Sequence, residues 1–224
     1  VQEITPYNLT FTAGSAMLNE MHAVAETLRQ NGGAVIEDNQ GIVFRENLME
    51  KNRLSTNQRV FSLMKQRICT LNKEELDLLI DGNMATRRQI VLLAICKAHP
   101  FIFDFIRENV REAFYSLHGK VSYANFNEFF NEKKYIHPEL EAITEQTVAK
   151  IRQVIFRIME QTELIESTDS GILRRPYLSQ ELERIIVKDH PVWLTIFLYS
   201  NQEINQLINP INNTSILMST DSIN

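Results

Sequence analysis

Apolar residues recur along this chain mostly at spacings of three and four, the signature of helices with one buried face. Met17, Met21, Val24 and Leu28 predict a first helix over 13–30, capped by Thr12 and stopped by Gly32 and Gly33. Val60, Leu63, Met64, Ile68 and Leu71 mark a second over 55–70, and Asn72 caps a third, KEELDLLI, that ends at Gly82. The segment 85–98 is apolar nearly all round. Pro100 breaks it and opens another helix, running to about 117, with Phe101, Phe105, Ile106, Val110 and Phe114 inward. Ser122 caps a short helix through Phe129 and Phe130, with Lys133 and Lys134 in the loop beyond, and Pro138 opens a short turn. Thr144 caps the clearest helix in the chain, 144–162. Leu164, Ile165 and Glu166 face the stretch 172–175 across Asp169, Ser170 and Gly171, which predicts a short β-hairpin. A helix over 179–188, an apolar strand or helix over 192–200 and an Asn/Ser/Thr-rich mobile tail over 201–224 follow. Residues 34–53, broken by Gly41, yield no clear element.

These elements predict a mainly α protein, a helical bundle. Its parts are a helix-turn-helix-like N-terminal unit (1–83), a central helical scaffold (84–120), a winged helix-turn-helix-like unit with a β-hairpin wing (121–200) and the tail (201–224). The order helix, short helix, long helix, hairpin within 122–178 is that of a winged helix, whose third helix fits a major groove about 12 Å wide.

Composition changes the picture in two ways. Hydrophobic residues make up 44% and charged residues 23%, enough for a packed core, and the low Gly (7) and Pro (6) counts favour long helices over many strands. The net charge of -5 disfavours nucleic-acid binding by the chain as a whole, so any such role rests on local basic faces. Cys69 and Cys96 sit in apolar helical patterns and read as core thiols in a reducing cytoplasm, not as a disulfide framework. No secretory-signal pattern is legible. The longest apolar run, 90–96, spans only about 10 Å as a helix against a hydrocarbon core of about 30 Å, which argues against a membrane span.

Two faces could carry binding chemistry. At about 100° per residue, Lys150, Gln153 and Arg157 fall within about 40° of Gln146, while Val148, Ile151, Ile155, Ile158 and Met159 gather on the opposite side and Arg152 lies at the flank. Cations and amides alone on an exposed helix face suit phosphates and base edges. Arg174 and Arg175 in the hairpin, with Lys133 and Lys134 ahead of the motif, are candidate phosphate contacts. The segment 144–176 nonetheless holds five acids against five cations, so a solvated face is the competing reading. The second face lies in 45–67, where Arg45, Lys51, Arg53, Arg59, Lys65 and Arg67 outnumber Glu46 and Glu50, a local net of +4. Arg59 and Lys65 share a helix face there with Gln58, Ser62 and Gln66.

Catalytic signatures are missing: no phosphate-binding GxxxxGK[ST], no GxGxxG, no GxSxG and no HExxH. His99, His137 and His190 each precede a proline, at element boundaries, and His22 and His118 stand apart. Glu74/Glu75 and Glu181/Glu183 read as helix-surface charge. Trp193 and the Phe126, Phe129, Phe130 set read as core. No cofactor, metal or enzymatic activity is expected.

Three stretches, YNLTFTAGSAMLNE (7–20), RRQIVLLAICKAHPFIFDFIRENVREAF (87–114) and FNEFFNEKKYIHPELEAITEQTVAKIRQVIFRIMEQTELI (126–165), make the chain resemble the BrxA family of the bacterial BREX phage-exclusion systems over roughly 7–200. The resemblance implies a small helical protein that binds double-stranded DNA without known catalysis. It would work beside a methyltransferase, an ATPase and a phosphatase-like protein. The family has also carried an inner-membrane label, which the short apolar run opposes. No family motif fixes DNA contacts, so the candidate site comes from the helix faces: Gln146, Lys150, Arg152, Gln153, Arg157, Arg174, Arg175, Lys133, Lys134, Arg59 and Lys65. The leading expectation is a largely sequence-independent DNA-binding accessory protein. The alternative is a protein–protein adaptor with no DNA contact, and a dimeric operon regulator is a third class.

Overall fold

The computed structural model describes residues 5–31, 54–117 and 119–209. Among them, ten α-helices and several short 3-10 and π turns pack round one apolar core, with no β-strand beyond isolated bridges. The helices are α1 (Leu18–Gln30), α2 (Leu54–Ile68), α3 (Lys73–Asp81), α4 (Met84–Ala98), α5 (Pro100–Phe105), α6 (Arg111–Tyr115), α7 (Tyr123–Lys134), α8 (Glu145–Gln161), α9 (Gln180–Asp189) and α10 (Asn201–Ile208). The glycine pair at 32–33, the cations Arg45, Lys51 and Arg53, and the last part of the expected tail lie outside the described residues.

The core is organised by α4. Asn83 caps it, and every residue from Gln89 to Cys96 is buried. A helix apolar on all sides needs neighbours on all sides; α4 touches α1, α2, α3, α5, α8 and the 3-10 helix Pro191–Phe197. Pro100 at the first position of α5 turns the chain by 112°, and a π turn (Ile106–Val110) joins α5 to α6. Phe101 and Phe105 then meet Phe126 and Phe129 of α7 edge-on or tilted, at 5.3 to 6.2 Å between ring centres. None of the described helices is by itself long and apolar enough to cross a membrane.

Several elements differ from the sequence expectation. Thr12 caps no helix: residues Thr10–Ala13 form a separate 3-10 turn, and α1 starts at Leu18 after Met17 in the left-handed region, φ 58. The cause is Arg67, a fully buried guanidinium that donates to the carbonyls of Gly14, Ser15 and Ala16 at 2.7–3.3 Å and so diverts them from helical hydrogen bonding. Burial pulls its pKa down to about 9, so it stays charged at neutral pH, yet it contributes nothing to a surface field. Beside it, burial and the Arg67 charge push His99 down to about 3, so the histidine is a neutral core group packed on Phe11.

The expected hairpin reduces to one antiparallel bridge, Ile165 with Leu173, while Ile172 bridges Lys120 outside it. Pairing does not extend past Leu164 because Glu163 before it is left-handed (φ 59) and follows the end of the helix at Gln161. Gly171 (φ 60) is required at the turn, since a Cβ there would meet the Val121 carbonyl oxygen at 2.0 Å. Lys133 and Lys134 lie in the last turn of α7 rather than in a loop; cations there complement the helix dipole. Cys96 is buried but Cys69 is exposed. Glu75 is not surface charge: it is fully buried and paired with Lys97.

Part of the expected tail is α10. Ser200 and Glu203 form a capping box, and Ile204 faces the core. Glu203 also pairs with Arg175 at 2.7 Å. Burial alone would raise its pKa, but the Ser200 amide and hydroxyl and the Arg175 charge outweigh that and hold it at about 2 against an ordinary 4.5. A carboxyl depressed in the folded state stabilises fully above its ordinary pKa and loses that contribution as pH falls through the folded value. Glu203→Gln is therefore expected to flatten the decline of Tm between pH 4.5 and about 2, followed by calorimetry. An unchanged decline would assign the acid sensitivity to other groups.

Candidate nucleic-acid interface

Thr144 caps α8, its hydroxyl accepting the Thr147 amide at 3.3 Å. Ile151, Val154, Ile155, Phe156, Ile158 and Met159 are buried, and Gln146, Lys150, Gln153 and Arg157 are exposed, as the helix wheel requires. Lys150 donates to the Gln153 side-chain oxygen at 3.2 Å. Arg157 is 63% exposed and only loosely paired with Glu160, at 3.8 Å. Arg152, at the flank, donates to Asn127 at 2.8 Å and lies over the Tyr123 ring at 4.5 Å.

On α2, Val60, Leu63, Met64 and Ile68 are buried while Gln58, Arg59 and Ser62 are exposed and Lys65 and Gln66 half-buried. The 3-10 turn Thr10–Ala13 is wedged between α2 and α8, anchored from below by fully buried Phe11. Its position brings the two basic faces together. Thr12 lines a groove with Arg59, Ser62, Lys65 and Gln66 on one side, and a second groove with Gln146, Lys150, Arg152 and Gln153 on the other. Among the described residues no carboxylate lines either groove. Three other grooves on the described surface contain Glu20, Glu183 with Glu203, and Glu74 with Asp77, Asp81 and Glu181. In a chain of net charge -5, the two adjoining grooves form a basic belt without described acids.

The remaining candidate cations are engaged elsewhere. Lys133 pairs with Glu108 at 2.8 Å and covers Phe129; Lys134 lies over Phe130 at 5.4 Å. Arg174 pairs with Glu166 at 2.7 Å, and Arg175 with Glu203 while stacking on Tyr199. Sequence reasoning misses Thr12 and Tyr123. Thr12 carries only the signal of a cap, and Tyr123 sits at core spacing from Phe126 and Phe130. Among the described residues no three His, Cys, Asp or Glu side chains converge to hold a metal ion.

The model of the family named BrxA matches residues 5–190. A BREX protein BrxA of Escherichia coli O9:H4 (strain HS) is 22% identical over 173 residues, covering 77% of this chain and 80% of that protein. A BREX protein BrxA of Paramagnetospirillum magneticum (strain ATCC 700264 / AMB-1) is 23% identical over 177 residues, covering 79% and 87%. The crystal structure of an uncharacterized protein from Magnetospirillum magneticum superposes with a TM-score of 0.75 at 19% identity, over 87% of this chain and 98% of that one, which establishes a shared fold.

Proposed function

The chain belongs to the BrxA family, and on that premise we propose that it is a non-catalytic accessory protein of a bacterial BREX phage-defence system that binds double-stranded DNA along the belt formed by α2, the Thr10–Ala13 turn and α8. The single observation that carries the reading is that two adjoining grooves hold Arg59, Lys65, Lys150 and Arg152 with no carboxylate among the described residues that line them.

Phosphates are the ligand those side chains suit best. Lysine and arginine at several points along a surface neutralise several phosphates, and the released counterions drive binding that weakens with salt. The Lys150 ammonium and the Gln153 amide N–H groups put donors at the centre of the α8 face. Donors meet phosphate oxygens on any sequence, which favours recognition that is largely sequence-independent. Other BREX components, among them a methyltransferase, an ATPase and a phosphatase-like protein, are the proposed protein partners. The adaptor reading draws support from Tyr135 and Tyr177, which are 91% and 87% exposed outside the belt and offer sites for such partners.

The test is a fluorescence-anisotropy titration with two unrelated duplexes of about 20 base pairs, two helical turns, at several salt concentrations. Similar affinity for both, falling steeply with salt, is expected. No binding even at low salt would remove the DNA reading and leave the adaptor.

A further inference from the structure

The second groove holds one feature that a paired duplex cannot use. Tyr123 is 42% exposed, and its ring stands perpendicular to that of Phe156, 4.7 Å between centres and 89° between planes. Phe156 is itself buried, so the tyrosine ring is held from beneath by the core. The Arg152 guanidinium lies over the ring at 4.5 Å, and its Nη1 is tied to Asn127 at 2.8 Å. Its Nε is buried without a hydrogen-bond partner, so the ring contact and the Asn127 bond together hold this orientation. Phe156 and the guanidinium thus hold the tyrosine ring in place at the groove. Gln146, Thr147, Lys150 and Gln153, all able to donate hydrogen bonds, line the same groove.

Planar aromatic and guanidinium groups take nucleobases by stacking, independently of sequence. Inside a paired duplex both faces of every base are already covered by neighbours. Only a base that has left the stack can use such a platform, and an unpaired base leaves it at the least cost. We propose that the Tyr123–Arg152 platform captures an unpaired nucleotide, so that the preferred ligand of this groove is a duplex carrying one extrahelical base, held along its backbone by the cations of the belt. The inference rests on the duplex-binding reading of the same groove.

The experiment uses two probes of the same sequence, one fully paired and one with a single extra unpaired 2-aminopurine, whose emission falls when it stacks. The full chain is expected to bind the second probe tighter by about fivefold or more, the scale of one base–aromatic stack, with quenched emission. Tyr123→Ala is expected to abolish both the preference, read as the ratio of that variant's own affinities for the two probes, and the quenching. Tyr123→Phe, which keeps the ring, is expected to retain both. Arg152→Lys, which keeps the charge but loses the plane, is expected to lose the preference. Equal affinity for the two probes with unquenched emission, while the paired duplex still binds, would overturn the platform alone. No binding to either probe would overturn the duplex reading and the platform with it.

Discussion

Lys97→Met is expected to destabilise the fold by about 3–5 kcal/mol, read as a lowered urea midpoint with an unchanged slope. The Lys97 ammonium lies 2.8 Å from both carboxylate oxygens of Glu75 and 2.8 Å from Asp189, with the Trp193 ring 5.9 Å away. The Glu75 side chain is 0% exposed and that of Lys97 only 7%, so water cannot replace a missing partner. The three groups join α3, α4 and the end of α9 in the interior, while Glu74 of α3 pairs with Lys188 and Arg184 of α9 at the surface. Methionine fills the same volume, so the destabilisation would come from the buried carboxylate left without a cation, not from a cavity. Adding Glu75→Gln to Lys97→Met tests this: the amide needs no cation and its oxygen can still accept the Asn72 amide, as the carboxylate does at 2.9 Å. The double variant is expected to recover most of the stability. A double variant as unstable as Lys97→Met would show that packing rather than charge holds this junction.

That ion pair also marks where the sequence stops being legible. The capping of α3, α7 and α8 is readable because Asn72, Ser122 and Thr144 act on amides three residues away. The buried stripe of α8 is readable for the same reason, its period being local. Glu75 looks like surface charge because Lys97 reaches it from another helix, and Arg67 counts as a surface cation although it ends among the carbonyls of 14–16. The capping box of α10 is hidden in Asn-rich sequence. Each of the two basic faces is visible on its own helix, but their junction depends on the Thr10–Ala13 turn, whose place is set by Phe11 and Arg67 in the core. The partners of Lys133 and Arg175 are Glu108 and Glu203, too distant in sequence for any local pattern to pair them.

Reversing one charge on each side of that junction is the second large effect. Arg59→Glu with Lys150→Glu is expected to weaken duplex binding by about 100-fold at low salt, roughly tenfold for each reversed charge. Both side chains are exposed, so the fold should be retained, which circular dichroism would check. Arg174→Glu with Arg184→Glu changes the net charge equally. These arginines are 60% and 63% exposed and lie beside Glu166 and Glu74, away from the belt residues. That variant is expected to bind within about twofold of wild type, because only charges near phosphates release counterions.

The most direct measurement is the slope of log affinity against log salt for one paired duplex, compared between wild type, Arg59→Glu with Lys150→Glu, and Arg174→Glu with Arg184→Glu. A belt that holds a single duplex across both faces predicts a slope shallower by about two units in the first variant, about one for each phosphate no longer neutralised, and an unchanged slope in the second. Equal slopes in all three proteins would contradict it.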